Sequence, residues 1–220
     1  MIEKIVSLLK NKEYEMMTDL CAIMKLQGSD KGFGRHNYTT FYHSLLKEHR
    51  DSEINFFEIG IGSINPRVSS NMSYMGGDYA PGASLRGWKQ YFSKAQIYGA
   101  DVDRGCLFQE DRLKTFYCDQ LDKQTFNDLW ILPDLKDVKF DVFIEDGLHT
   151  VQANLNAIEW SFHKVKSGGY YIIEDVLWAN RKNYDSLLLN MQSLGHITAM
   201  FEIPCSNNNS DNALVVIKKA

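Results

Sequence analysis

The chain has 220 residues, of which 44% are hydrophobic and 24% are charged, and its formal net charge is −4 at pH 7. This length fits one domain with a sizeable core, or one domain with a small appendage. The composition is that of a soluble globular protein, and the negative charge argues against a nucleic-acid-binding protein, which would normally present a basic face. No apolar run is long enough to span a bilayer. The charged N-terminus shows no signal-peptide core, so we expect a cytoplasmic protein with four reduced cysteines.

The first fifty residues are predicted to be helical. Three helices follow from the spacing of apolar residues, over residues 2–10, 13–27 and 39–50. A polar, glycine-rich loop, GSDKGFGRHNY at 28–38, separates the last two. We therefore predict a helical extension with its loop over residues 1–50 and a second, larger domain over residues 51–220.

Beyond this extension, short apolar strands alternate with helices. The predicted strands cover residues 54–60, 95–103, 113–120, 139–147, 168–176, 196–204 and 212–220. The predicted helices cover residues 84–92, 123–132, 150–166 and 183–195. This alternation indicates a mainly parallel sheet, to which the closing strand–turn–strand adds an antiparallel edge. In open α/β sheets, ligands bind outside the carboxyl ends of the strands.

The first strand runs through Glu58 into a Gly-x-Gly turn formed by Gly60 and Gly62. Glycines at a strand end permit a tight turn and let a ligand approach the backbone, although a simple turn would show the same residues. A long polar segment that begins with Asn-Pro follows, where a nucleotide phosphate cradle would have a third glycine opening a helix. The pattern argues against a pyrophosphate site and favours a cofactor without one.

The next two strands also end in acids. In YGADVD, Asp101 ends the strand directly and is better placed than Asp103 to accept hydrogen bonds from two ribose hydroxyls. In CDQ, Asp119 is placed to accept from an adenine amino group, with Gln120 beside it. A solvated loop acid is the alternative for each residue, but three acids ending three successive strands disfavour that interpretation.

These residues resemble the class I S-adenosylmethionine-dependent methyltransferases from about residue 54 to the C-terminus. The resemblance implies an α/β, Rossmann-like sheet of seven mainly parallel strands in the order 3-2-1-4-5-7-6, with strand 7 antiparallel. Carried over to this sequence, Gly60 and Gly62 would pass close to the methionine part of the cofactor, and Glu58 would line that pocket. Asp101 would bind the ribose, and Asp119 would lie by the adenine.

Strands 4 and 5 both end in acidic pairs, in FIEDGLHT at 143–150 and YYIIEDV at 170–176. In this topology the two strands are neighbours, so Asp146, Glu174 and Asp175 would lie about one strand spacing apart, roughly 5 Å. Without a cation, three carboxylates would repel one another and raise their pKa values. With water molecules they form a hard-cation site suited to Mg²⁺.

His149 follows Asp146 by three residues and would face the same cleft. An imidazole can take a proton from a substrate hydroxyl that a metal orients, although a helix-start residue bonded to its own backbone is the alternative. The arrangement resembles metal-dependent sugar O-methyltransferases of the macrolide type and their cephalosporin-hydroxylase-like relatives, with Asp-x-x-His after strand 4 and Glu-Asp after strand 5. This resemblance assigns His149 as the base, Asp146, Glu174 and Asp175 as metal ligands, and Glu145 as a supporting residue.

Two loops are predicted to close the site. The alternative for any single residue in them is an ordinary polar loop residue without a functional contact. In the glycine-rich loop, Lys31, His36 or Tyr38 could contact the cofactor carboxylate or the substrate. The insertion after strand 1 ends in the family-like segment GASLR. There, backbone groups around Ser84 could meet the cofactor carboxylate, and Arg86 could pair with it.

The sequence therefore predicts an S-adenosylmethionine- and Mg²⁺-dependent O-methyltransferase. Its acceptor would be a sugar hydroxyl on a capsular or O-antigen glycan, a nucleotide-sugar or a glycosylated metabolite. A catechol-type O-methyltransferase, which often uses a lysine base, and a non-catalytic cofactor-binding protein are the alternatives. The two-histidine triad of an oxygenase is not evident. The N-terminal helices are a candidate packing surface for a second subunit, so a homo-oligomer is one expectation.

Overall fold

The computed structural model describes residues 17–205 and 210–220. The helix predicted at residues 2–10 lies outside the described residues. Two helices precede the sheet, α1 (Asp19–Leu26) and α2 (Tyr38–Leu46). The Thr18 side chain caps α1 by accepting from the Cys21 backbone N–H at 3.2 Å.

Within the described residues, eight strands form one mixed sheet in the order β3-β4-β2-β1-β5-β6-β8-β7. They are β1 (Asn55–Ile59), β2 (Gln96–Asp101), β3 (Gln109–Glu110), β4 (Leu113–Tyr117), β5 (Phe140–Glu145), β6 (Val165–Ile173), β7 (Ile197–Glu202) and β8 (Ala213–Lys218). The five central strands are parallel, and β8 runs antiparallel to both of its neighbours.

Without β3, the strand order is the predicted 3-2-1-4-5-7-6 with strand 7 antiparallel, so the predicted fold class is confirmed. The additional strand makes eight where seven were predicted. β3 is a two-residue edge strand that pairs antiparallel with β4, across a turn in which Arg112 has φ +56°. Two residues are too short to show an apolar periodicity, which is why the sequence did not predict this strand.

Helices cover both faces of the sheet. After β1 the main helices are α3 (Ala83–Tyr91), α4 (Lys123–Trp130), α5 (Val151–Ser161) and α6 (Asp185–Ser193). Adjacent residues of β1 point to opposite faces: Phe56 joins the core shared with α1, α2 and α3, and Phe57 joins the core shared with α4 and α5. None of the described helices is long and apolar enough to cross a membrane.

The parallel register determines which residues meet at the carboxyl edge of the sheet. Ile59 pairs with Ala100 of β2 and with Glu145 of β5, and Glu145 pairs with Ile173 of β6. The residues that follow these positions therefore leave the sheet side by side, at the edge where ligands bind in open α/β sheets.

Candidate active site

A cavity of about 710 Å³ opens at the carboxyl edge of the sheet. This volume is within the usual range for small-molecule sites. Its wall is formed by strand ends, by the glycine-rich loop and by the insertion after β1. The predicted site residues that line it are Lys31, Gly60, Gly62, Ser84, Asp101, Asp119, Gln120, Asp146, His149, Glu174 and Asp175.

Asp146, His149 and Asp175 form a group that can hold a metal ion. One ligand atom from each residue lies within 4.8 Å of the others, and His149 Nδ1 is 3.8 Å from Asp175 Oδ2. Two carboxylates and an imidazole are suitable donors for a divalent cation, and oxygen-rich groups favour the harder ions. The residues present therefore fit the predicted cation.

The backbone around this group is tightly constrained. His149 has φ +57° and Asp175 has φ +51°, values that few residues other than glycine adopt. The backbone N–H of Asp146 donates to the Ile59 carbonyl at 2.9 Å. Gly60 lies against the same turn, with φ +86°, and a Cβ there would collide with the Asp146 carbonyl oxygen. Backbone strain of this kind concentrates at functional sites.

Asp175 is held by residues of the N-terminal segment. The Tyr38 hydroxyl donates to Asp175 Oδ1 at 2.6 Å, and His36 Nδ1 lies 3.3 Å from the same oxygen. Burial by itself would raise the pKa of Asp175, but His149, His36 and the Tyr38 hydrogen bond outweigh it and lower the pKa. The carboxylate is therefore charged over the physiological pH range.

Lys31 is only 2% exposed and lies among three acids. Its ammonium bonds to Asp146, donates to Glu174 Oε2 at 2.5 Å and lies 3.7 Å from Glu58 Oε1. Burial lowers the pKa of Lys31, but Asp146, Glu174 and Glu58 together raise it well above its ordinary value. The contact of Lys31 with the cofactor carboxylate or the substrate stays a prediction; in the structure, the protein's own carboxylates engage its ammonium.

Glu174 also differs from its predicted role as a metal ligand. Its Oε2 accepts from Lys31, and its Oε1 accepts from the Tyr42 hydroxyl at 2.5 Å. Both oxygens therefore have protein partners, and the group that can hold a metal contains His149 in place of Glu174. The sequence could not separate Glu174 from Asp175, because adjacent residues at a strand end point in different directions.

Burial raises the pKa of three other acids of this region, Asp146, Glu145 and Glu174. Burial raises the pKa of Asp146 to about 7, with Lys31 opposing the shift and Asp175 adding to it. For His149, burial disfavours the imidazolium, but Asp175, Asp146 and Glu145 outweigh it and raise the pKa. Glu145 is buried and accepts from the Gln120 side chain, outside the metal-binding group, as its predicted supporting role requires.

Some of the residues predicted to bind the cofactor line the cavity. Gly60 and Gly62 both have positive φ angles and line the cavity. Asp101 lines it too, and its two oxygens accept from the backbone N–H groups of Ile61 and Asp103 at 3.0 and 2.9 Å. Asp103 does not line the cavity, which agrees with the preference for Asp101.

The two residues predicted to lie by the adenine, Asp119 and Gln120, form different hydrogen bonds. Asp119 lines the cavity, and its Oδ1 accepts from the Leu121 backbone N–H at 2.9 Å. Gln120 Oε1 accepts from the Leu148 backbone N–H at 2.8 Å, and its amide nitrogen donates to Glu145. The Gln120 side chain thus braces the turn that leads to His149, and its contact with the cofactor stays a prediction.

Three residues predicted to contact the cofactor form hydrogen bonds with other residues of the protein. Glu58 is fully buried below the cavity, where it accepts from Ser84 Oγ and Trp88 Nε1, both at 2.6 Å. Ser84 lines the cavity, but its hydroxyl is directed to Glu58. Arg86 lies outside the cavity wall, where its Nε donates to Glu110 Oε1 at 2.6 Å. The contacts of these residues with the cofactor stay predictions.

Comparison with known proteins supports the same fold. No family model matches the sequence. An 8-demethyl-8-alpha-L-rhamnosyl tetracenomycin-C 2'-O-methyltransferase from Streptomyces olivaceus is 31% identical over 159 residues, which are 71% of this chain and 37% of that protein. Demethylmacrocin O-methyltransferase from Streptomyces fradiae is 32% identical over 143 residues, 65% of this chain and 32% of that protein. The chain thus spans about a third of the length of these curated relatives.

A solved structure of the MycE methyltransferase from the mycinamycin biosynthetic pathway, in complex with Mg, SAH and mycinamycin VI, has the same fold. The TM-score is 0.69 at 22% identity, over 94% of this chain and 56% of that one. The predicted resemblance to the class I S-adenosylmethionine-dependent methyltransferases is confirmed.

Within this methyltransferase fold, sequence reasoning missed two residues that hold site carboxylates. Tyr42 binds Glu174, one helical turn after Tyr38, which binds Asp175. Trp88 binds Glu58, one turn after Ser84. Residues four apart lie on one helix face. Once the facing strand ends were known, this spacing could therefore have identified both residues as partners of the site carboxylates.

Proposed function

We propose that the protein is an S-adenosylmethionine- and divalent-cation-dependent O-methyltransferase that acts on a sugar hydroxyl. The observation that carries the proposal is the group of Asp146, His149 and Asp175, within 4.8 Å at the carboxyl edge of a methyltransferase sheet. The two relatives described above are O-methyltransferases of antibiotic biosynthesis, and the name of the first places its reaction on a rhamnosyl group. A glycan, a nucleotide-sugar or a glycosylated metabolite would each offer such a hydroxyl.

In this proposal Asp146 and Asp175 hold the cation, with His149 beside them. When bound, S-adenosylmethionine supplies a methyl group on a sulfonium, and Mg²⁺ lowers the pKa of a hydroxyl that it coordinates. Asp175 presents a fixed charge because Tyr38 and His36 hold one of its oxygens. Gly60, Gly62, Asp101 and Asp119 line the part of the cavity that we assign to the cofactor.

His149 is the proposed general base. It takes the proton of the acceptor hydroxyl while the hydroxyl oxygen forms its bond to the methyl carbon and the carbon–sulfur bond breaks toward sulfur. The raised pKa of His149 makes it a stronger proton acceptor than an ordinary imidazole. Its neighbour Asp175 stabilises the imidazolium that results.

The catechol-type alternative would use a lysine base, and Lys31 is the lysine at the metal-binding group. Its carboxylate partners raise the pKa of Lys31, so that it stays an ammonium ion near neutral pH. An ammonium ion cannot accept a proton. The surroundings of Lys31 therefore favour His149 as the base.

The test is methyl transfer from radiolabelled S-adenosylmethionine to a panel of methyl glycosides and nucleotide-sugars, with Mg²⁺ and with EDTA. We expect transfer to stop in EDTA and to return with added Mg²⁺. His149→Asn should lower the rate by about 10²–10⁴-fold, the usual contribution of general-base catalysis, while calorimetric binding of S-adenosylhomocysteine is unchanged. His163→Asn is the matched control, because His163 precedes β6 at the end of that strand opposite Glu174 and Asp175. Full activity in EDTA would refute the metal role.

A further inference from the structure

The arginines of the chain divide into two classes. Five of the seven are held by described neighbours: Arg50 by Asp19, Arg86 by Glu110, Arg104 by the Tyr117 ring, Arg112 by backbone carbonyls and Arg181 by the Trp178 ring. The guanidinium groups of Arg35 and Arg67 make no ion pair, hydrogen bond or ring contact with any described residue. Both of these arginines line the cavity.

The two free arginines belong to the two loops that flank the cavity mouth. Arg35 lies in the glycine-rich loop, four residues after Lys31, and Arg67 lies in the insertion after β1. The loops are joined where the Tyr74 hydroxyl donates to Asp30 Oδ2 at 2.6 Å. Arg35 and Arg67 therefore line the same cavity, on elements that contact each other.

The segment after Arg67 adds further hydrogen-bond donors. Ser69, Ser70 and Asn71 line the cavity, and their backbone N–H groups donate to no described acceptor. Ser70 has φ +56°, the left-handed conformation found where successive N–H groups converge on an anion. Seven acids line the cavity. Six of them accept hydrogen bonds from described residues, and Asp211, whose Oδ1 has no described partner, is the acid that would most oppose an anion.

We propose that the sugar acceptor carries a phosphate group, and that Arg35 and Arg67 bind this group at the cavity mouth. The proposal rests on the proposed function and narrows its acceptor to sugar phosphates and nucleotide-sugars. A planar guanidinium donates two parallel hydrogen bonds to a phosphate, and free backbone amides complete the remaining oxygens. Neither arginine is a catalytic residue in this scheme, because both select and orient the acceptor.

The experiment is calorimetric titration of the full chain, saturated with S-adenosylhomocysteine and kept in EDTA so that no metal can bind the phosphate. The probes are UDP, glucose 1-phosphate, glucuronic acid and methyl glucoside. We expect UDP or glucose 1-phosphate to bind, and Arg35→Gln and Arg67→Gln each to weaken that binding about tenfold or more. Arg50→Gln, at the surface away from the cavity, is the matched control and should leave it unchanged.

Several results would overturn the inference. One is that neither phosphate probe binds, and another is that both arginine variants bind them as the unmodified chain does. Glucuronic acid binding as tightly as UDP would assign the arginines to a carboxylate. A matching loss of S-adenosylhomocysteine affinity in the variants would assign them to the cofactor. The proposed function is tested separately, because cofactor binding and the loss of methyl transfer in EDTA are measured on the unmodified chain.

Discussion

At the residue scale, the candidate metal ligands are held in place by partners from distant parts of the chain. Asp146 bonds to Lys31, and Asp175 accepts from Tyr38, so each carboxylate has a fixed orientation. Outer partners of this kind orient metal ligands and tune their affinity. The strand-end pattern predicted Asp146, Glu174 and Asp175 as metal ligands and His149 as the base. It could not predict Lys31 and Tyr38 as their partners, because the sequence distance between the loop and the strand ends carries no periodic signal.

Removal of the Lys31 ammonium should strongly destabilise the protein. Lys31→Met would leave Asp146 and Glu174 as buried acids without their cation, and breaking a buried ion pair costs about 3–5 kcal/mol. The measurement is the free energy of unfolding from urea titration. Lys114→Met is the matched control, since Lys114 pairs with Asp134 at the exposed surface, and its unfolding curve should not move. Equal effects of the two changes would contradict this role for Lys31.

The affinity for Mg²⁺ should depend on pH near neutrality. Burial raises the pKa of Asp146 to about 7, so below this pH a proton occupies the carboxyl and competes with the cation. The raised pKa of His149 acts in the same direction. Calorimetry should therefore show affinity that rises by about tenfold between pH 6 and pH 8 and then levels off. Affinity that is flat over this range, or that falls, would show that Asp146 is not a ligand.

At the element scale, the site depends on the close approach of two strand-to-loop turns. Gly60, directly after β1, lies against the turn that follows β5 and carries Asp146. The alternation of apolar strands and helices predicted seven of the eight described strands, because each of these is long enough to show its pattern, and the family resemblance implied their order. The loops were harder to predict, and so was the run of 3-10 helix at Trp178–Tyr184, because irregular segments lack a repeating pattern.

Gly60→Ala should disturb the metal-binding group through the backbone. The added methyl group would collide with the Asp146 carbonyl and displace the turn, so we expect a lower melting temperature and weaker Mg²⁺ binding. Gly28→Ala is the matched control: Gly28 has a similar φ of +80°, but a Cβ there meets nothing within 4 Å. Backbone strain alone, about 1–2 kcal/mol, should lower its stability while Mg²⁺ affinity is retained. Loss of Mg²⁺ affinity in both variants would point to strain and not to the contact.

At the scale of the whole molecule, the N-terminal segment and the sheet share one core. Leu20 and Met24 of α1 pack in the same cluster as Trp88 of α3 and Phe56 of β1. The segment also supplies Lys31 to the site. We therefore propose that residues 17–50 fold together with the larger predicted domain, although the sequence alone suggested an extension over 1–50 and a separate domain over 51–220.

This shared core predicts a single unfolding transition. Urea titrations followed by far-ultraviolet circular dichroism and by tryptophan fluorescence should coincide, as for a two-state domain. S-adenosylhomocysteine should shift both curves equally, because ligand binding stabilises the whole cooperative unit. An early transition of the N-terminal helices, resolved from the loss of the sheet, would show that the extension is independent.

The left-handed backbone at His149 and Asp175 also limits which side chains these positions can accept. Asparagine and aspartate adopt this conformation far more readily than most other residues do. Asp175→Asn should therefore remove the charge while the turn keeps its shape, whereas Asp175→Glu, which preserves the charge, should strain it. At this position the geometry of the main chain makes the charge-removing replacement the milder one, so a search for tolerated variants should find asparagine before glutamate.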